Sequence, residues 1–173
     1  MPGHSSSMTA YLGFQIENFL LSADGQLKLC DFGSSTIETY IPDASWSAQQ
    51  RNNLEDQLAS ITTPMYRCPE QLDLWANHPI GTKCDTWALG CILYFLCFQK
   101  HPFEDSAKLR IINANYVLPG DSRYLCFHDV IRGCLQIDPI KRFDTSTILD
   151  RLAAIAETKG WPLKGSIAIT VSV

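Results

Sequence analysis

Several absences narrow this sequence before any motif is considered. No Cys-x-x-Cys pair occurs, although seven cysteines are present, at Cys30, Cys68, Cys84, Cys91, Cys97, Cys126 and Cys134. An odd count without paired spacing argues against both a zinc ribbon and a secreted disulfide framework, so the thiols read as free, in a reducing compartment. His4, His78, His101 and His128 are scattered without ligand spacing. Basic charge is in deficit: 14 Lys and Arg face 18 Asp and Glu, a net charge of −4, which removes the electrostatic footprint of a nucleic-acid binder or of a protein held to anionic membrane. The longest apolar stretch, Trp87 to Phe98, is too short to be a transmembrane segment. Residues 1–15 have neither the basic start nor the apolar core of a secretory signal. There is no internal repeat. What remains is 173 residues, 46% hydrophobic and 18% charged, enough for one core and read as cytoplasmic.

Residues 1–10 are small and polar without periodicity, and residues 1–15 as a whole read as a divergent, disordered leader. From Ile16 the pattern sharpens: two short apolar runs flank Ala23-Asp24-Gly25, a turn signal, and predict a β-hairpin. Within the polar stretch that follows, "SWSAQQRNNLEDQLASI" predicts a helix capped by Ser45 or Ser47. Downstream, "DTWALGCILYFLCF" is apolar all round, the mark of a helix inside a core. "AKLRIINANY", "FHDVIRGCLQI" and "TSTILDRLAAIAETKG" carry amphipathic spacing, the last stopped by Gly160 and Pro162. His101, ahead of Pro102-Phe103, reads as a capping or packing residue.

Chemistry concentrates around Asp31-Phe32-Gly33. This tripeptide follows an apolar strand and lies thirteen positions after Asn18, with the hairpin between them. An amide oxygen and a carboxylate at the two ends of one hairpin are hard ligands of the kind Mg²⁺ requires beside a triphosphate. Further signals follow in order: Thr63-Pro64-x-Tyr66-x-Cys68-Pro69-Glu70, then Asp85-x-Trp87-x-x-Gly90, then Arg142 after Asp138-Pro139.

That succession resembles the C-terminal lobe of a eukaryotic protein kinase, a mainly α fold with a small β-hairpin. The stretches "LKLCDFGSS", "SWSAQ", "TTPMYR" and "HPFEDSAKLRI" are similar to the numb-associated kinase family. The resemblance implies a partial kinase domain over residues 16–160, with an activation segment at about 31–70 and a tail at 161–173. It implies ATP and Mg²⁺ as cofactors, with Asn18 and Asp31 as metal ligands and Cys30, Phe32 and Gly33 beside the nucleotide. Thr63 and Tyr66 fall in the substrate loop; Glu70 and Arg142 would form a buried ion pair; Asp85 would anchor the catalytic loop, with Trp87 in the central helix. The implied partners are clathrin-adaptor subunits or kinase regulators, and the implied location is cytoplasmic, at clathrin-coated vesicles or near the nucleus.

Against the family pattern H-R-D-L-x-x-x-N, counted back from Asn18, stand Tyr11, Leu12 and Gly13, and Gln15 replaces the catalytic-loop lysine. No intact catalytic residue is therefore expected: Gly13 cannot accept the substrate's hydroxyl proton, and Gln15 cannot neutralise the transferring phosphate. The N-terminal lobe is also expected to be missing. Three readings follow: a catalytically deficient, pseudokinase-like chain that acts at most by binding; an active ATP-dependent Ser/Thr kinase acting on clathrin adaptors; or a truncated product without a function of its own.

Overall fold

A computed structural model describes residues 10–120, 123–165 and 167. The architecture is mainly helical, with one two-stranded antiparallel sheet. Strands β1 (Phe19–Leu21) and β2 (Leu27–Leu29) pair in the register Phe19–Leu29, Leu20–Lys28 and Leu21–Leu27. The turn closes through the Gly25 N–H on the Ser22 carbonyl, with Gly25 at φ 76°, a conformation that favours glycine.

Helix α1 (Ala48–Ile61) starts at a capping box in which Ser47, not Ser45, is the cap: its hydroxyl accepts the Gln50 N–H while the Gln50 amide accepts the Ser47 N–H. Helix α2 (Pro69–Leu72) is a single turn with proline in the first position. The axis of the fold is α3 (Thr82–Phe98), whose Trp87 and Cys91 are wholly buried. Trp87 stacks on Phe103, ring centroids 5.6 Å apart and planes within 6°. Helix α5 (His128–Cys134) crosses α3 at Gly90, where an added Cβ would lie 2.6 Å from the Cβ of Cys134. Helix α6 (Thr145–Lys159) is capped by Asp144, whose carboxyl is held down at about 2, chiefly by the Thr147 N–H, and ends on Gly160 at φ 66°. No helix among the described residues is long and apolar enough to cross a membrane.

Two expectations change. The amphipathic stretch around Lys108 gives only a short α4 (Lys108–Ile112), because Ala114 turns to φ 45° and the Arg110 guanidinium folds back onto the carbonyls of Pro102 and Asn115. The expected leader falls partly outside the described residues, but from Ala10 onward the chain is packed. Ala10 exchanges both backbone hydrogen bonds with Thr36, at 2.9 and 2.8 Å, and Ala10 and Tyr11 are buried. Of the tail, Trp161 stacks on Phe127 at 6.2 Å and the Ile167 N–H reaches the Gly25 carbonyl at 2.8 Å.

Candidate functional site

Asp85, in the first turn of α3, organises the site from below. Its two carboxylate oxygens accept the N–H groups of Tyr11 and Leu12, each at 2.8 Å. Burial lifts the Asp85 carboxyl above its ordinary range, and the two N–H donors work the other way. The grip holds Leu12 at φ 56°, a left-handed conformation that leucine resists. Asp85 thus clamps the backbone of the loop that leads to Asn18.

The clamped loop aims Tyr11 at the Cys30–Asp31 turn. The Tyr11 hydroxyl donates toward the carbonyls of Cys30 and Asp31, the latter at 2.7 Å, and accepts from the Asn18 amide at 3.4 Å. Its ring meets Phe32 edge-on at 5.3 Å and Phe14 at 4.7 Å. Burial raises the phenol above its ordinary value, so it remains a hydrogen-bond donor at neutral pH. Sequence reasoning counted Tyr11 only as a departure from histidine and missed this role. The available signal was that a phenol also carries a donor at the end of a planar ring.

Asn18 and Asp31 therefore meet around one hydroxyl. Asn18 is buried, and its amide also donates to the Gly13 carbonyl at 2.9 Å. Asp31 sits at φ 58°, with its exposed carboxylate accepting the Gly33 N–H at 3.2 Å. Cys30, half-buried, ties this turn to the hairpin through its N–H on the Asn18 carbonyl at 2.9 Å. Phe32, 61% exposed, lies open on its outer face.

Gly13 occupies the loop position that faces this pair. An added Cβ there would lie 3.3 Å from the Tyr11 ring, closer than ordinary contact. Gln15 bridges two parts of the site: its amide nitrogen donates to Asn18 Oδ1 at 3.3 Å, and its oxygen accepts the Thr63 hydroxyl. Tyr66 is buried, its hydroxyl accepting the Ile16 N–H at 3.3 Å and its ring meeting His101 at 4.8 Å. Between residues 10 and 18 the only carboxylate is that of Glu17, which is exposed.

The ion pair expected between Glu70 and Arg142 is present and fully buried. Arg142 donates bidentately to the two Glu70 oxygens, at 2.6 and 2.8 Å, and to the carbonyls of Lys83, Gln136 and Ile137 at 2.7, 3.0 and 3.4 Å. The guanidinium also lies 5.2 Å from the Trp87 ring centroid. Glu70 holds Arg142 more firmly protonated than usual, outweighing burial. A second buried arginine, Arg51 in α1, was not anticipated. It binds the carbonyls of Leu74 and Asp43 and the Asn77 side chain, and stacks 4.4 Å from the Trp75 ring centroid. Four other cations form surface pairs, Lys108 with Glu55, Arg110 with Asp105, Lys141 with Asp138 and Arg151 with Asp129.

Comparison with known proteins gives a consistent result. The model of the protein kinase domain matches residues 6–152, a span that takes in the Tyr11 loop. Two probable serine/threonine-protein kinases of Dictyostelium discoideum are 40% and 39% identical over 148 and 140 residues, 84% and 80% of this chain. The actin-regulating kinase PRK1 of Saccharomyces cerevisiae is 34% identical over 151 residues, 87% of this chain. The aligned parts amount to 18%, 12% and 18% of those three relatives, so the chain spans under a fifth of each.

Proposed function

The chain belongs to the protein kinase family, and from that premise we propose that it is a serine/threonine-kinase-derived, catalytically deficient domain that acts by binding. One observation carries the reading: the scaffold of the catalytic loop is complete, from the Asp85 clamp to Asn18 and Asp31, yet Gly13 stands where the family places its base. A positioned general base is worth about 10²–10⁴-fold in rate. Gln15, in place of lysine, adds no positive charge beside the transferring phosphate. Within these 173 residues no G-x-G-x-x-G loop occurs to cover a triphosphate.

The donor set still suits Mg²⁺, because the Asn18 amide oxygen and the Asp31 carboxylate are hard ligands and the latter is exposed. If bound with ATP, the ion would screen the phosphate charges; Asn18 and Asp31 would hold it, and Tyr11 would fix the turn that presents Asp31. We place the chain with the numb-associated kinases, nearest to cyclin-G-associated kinase, on the sequence stretches quoted above, and take clathrin-adaptor subunits or kinase regulators as its partners. The retained metal ligands favour the competing reading, an active Ser/Thr kinase. Transfer of labelled phosphate from ATP and Mg²⁺ to an adaptor peptide separates the two. We expect no transfer above a blank without protein; transfer abolished by Asp31→Asn would overturn the deficiency.

A further inference from the structure

Cys68 and Cys84 occupy two segments whose attachment to each other holds the activation segment in place. Cys68 is the N-cap of α2, at the end of that segment, and Cys84 lies in the first turn of α3. Their sulfurs approach to 3.0 Å, and both residues are buried, at 0% and 4% exposure. Around them stand the Gln71 amide oxygen, 3.2 Å from Cys68 Sγ, and Glu70 Oε1, 3.5 Å from Cys84 Sγ. Two thiols and a carboxylate also make a candidate ligand group for a metal ion. Arg142 opposes that use: its guanidinium already engages both Glu70 oxygens and would set a fixed positive charge beside the ion.

We propose that Cys68 and Cys84 form an oxidisable thiol pair, converted by a small peroxide into a disulfide that fastens the activation segment to α3. Hydrogen peroxide accepts the two electrons: one sulfur attacks a peroxide oxygen, giving a sulfenic acid and water, and the second sulfur then attacks the first, displacing a second water. In sum, two thiols and one peroxide yield one disulfide and two waters. Sulfurs buried this fully are closed to solvent in the folded chain, so a small peroxide reaches them through a smaller opening than a tripeptide disulfide would need. Burial also raises both thiols above their ordinary values, so the reaction proceeds through transient opening and is slow. The half-buried Cys30 and Cys126 are the built-in controls for simple access. The new bond would close a loop across sixteen positions, parallel to the Glu70–Arg142 pair.

The test uses the whole chain, held at graded hydrogen peroxide for minutes to hours, alkylated, and digested with trypsin without reduction. Trypsin cuts after Arg67, Lys83 and Lys100, so the expected product joins peptides 68–83 and 84–100 with the loss of two hydrogens, and dithiothreitol separates them. Fragmentation must place the link at Cys84 rather than Cys91 or Cys97, and Cys84→Ser must abolish it. The linked chain is expected to melt about 5 °C or more above the reduced one, given the loop it closes. Should Cys84→Ser fail to fold, Cys91→Ser and Cys97→Ser, which must both retain the link, decide its position. Recovery of Cys68 and Cys84 as alkylated thiols or sulfinic acids while Cys30 and Cys126 oxidise would overturn the proposal, as would a linked chain that melts no higher.

Discussion

Replacing Arg142 with alanine is the most demanding test of how this fold is held together. The side chain is fully buried and makes two short charge-assisted bonds to Glu70 and three to backbone carbonyls. Alanine removes all five and leaves the Glu70 carboxylate, itself wholly buried, without its cation. Breaking a buried pair from one side costs about 3–5 kcal/mol, most of it the desolvation of the stranded charge. For a chain of this length each kcal/mol moves Tm by about 2–4 °C, so the loss expected in a calorimetric or circular-dichroism melt is about 6–20 °C. The second arm of a double-mutant cycle sharpens the point. Glu70→Gln with Arg142→Met removes both charges together and should recover part of the loss, because neither is then stranded. An Arg142→Ala chain that melts within a degree of the parent would refute the reasoning. So would a double variant destabilised by the plain sum of the single effects.

Three further outcomes follow from the geometry. Gly90→Ala places a methyl group 2.6 Å from the Cβ of Cys134, against helix rather than a flexible tip, and should cost about 1–3 kcal/mol in a urea titration; no change would mean that α3 and α5 do not meet there. Asp85→Asn keeps an acceptor but adds an N–H₂ facing one of two backbone donors, so amide exchange at Tyr11 and Leu12 should accelerate while that in α6 stays as it was; equal protection would remove the clamp. Burial holds His101 down at about 4, against an ordinary value of 6.5, with its Nδ1 accepting the Phe103 N–H. The unfolded chain then takes up the proton first, so this contribution is present above pH 6.5 and is lost as pH falls from 6.5 to 4. The loss, roughly 2 kcal/mol after solvent screening, should vanish in His101→Asn; a variant whose stability falls with pH as the parent's does would contradict it.

Much of the fold was legible because it is written locally. The hairpin follows from Ala23-Asp24-Gly25 between apolar runs, α3 from a segment apolar on every side, and the end of α6 from Gly160. The Glu70–Arg142 pair was legible only through family resemblance, since nothing near either residue in sequence specifies the other. The Tyr11 loop was misjudged for a physical reason. Its own residues are weakly patterned, and what orders them is a carboxylate 74 and 73 positions away. Arg51 escaped notice similarly: on a polar helix it looks like another solvated cation, and only the folded chain brings the Leu74 and Asp43 carbonyls to it. The stretch around Lys108 has helical periodicity, yet Arg110 finds better acceptors across the turn than along a longer helix.

The 72 positions between Glu70 and Arg142 also set a schedule. A ribosome adds about 5–20 residues per second, so Arg142 is joined to the chain about 4–14 s after Glu70. Throughout that interval the glutamate lacks its cation, and the segment ending at Glu70 lacks this fastening to the helical core. The nascent chain must therefore pass through a period in which its most deeply buried charge is wet and its segments are open to chaperones, proteases and chemical modification. How fast the residues from Glu70 to Arg142 are translated is, for this fold, part of how safely it is made.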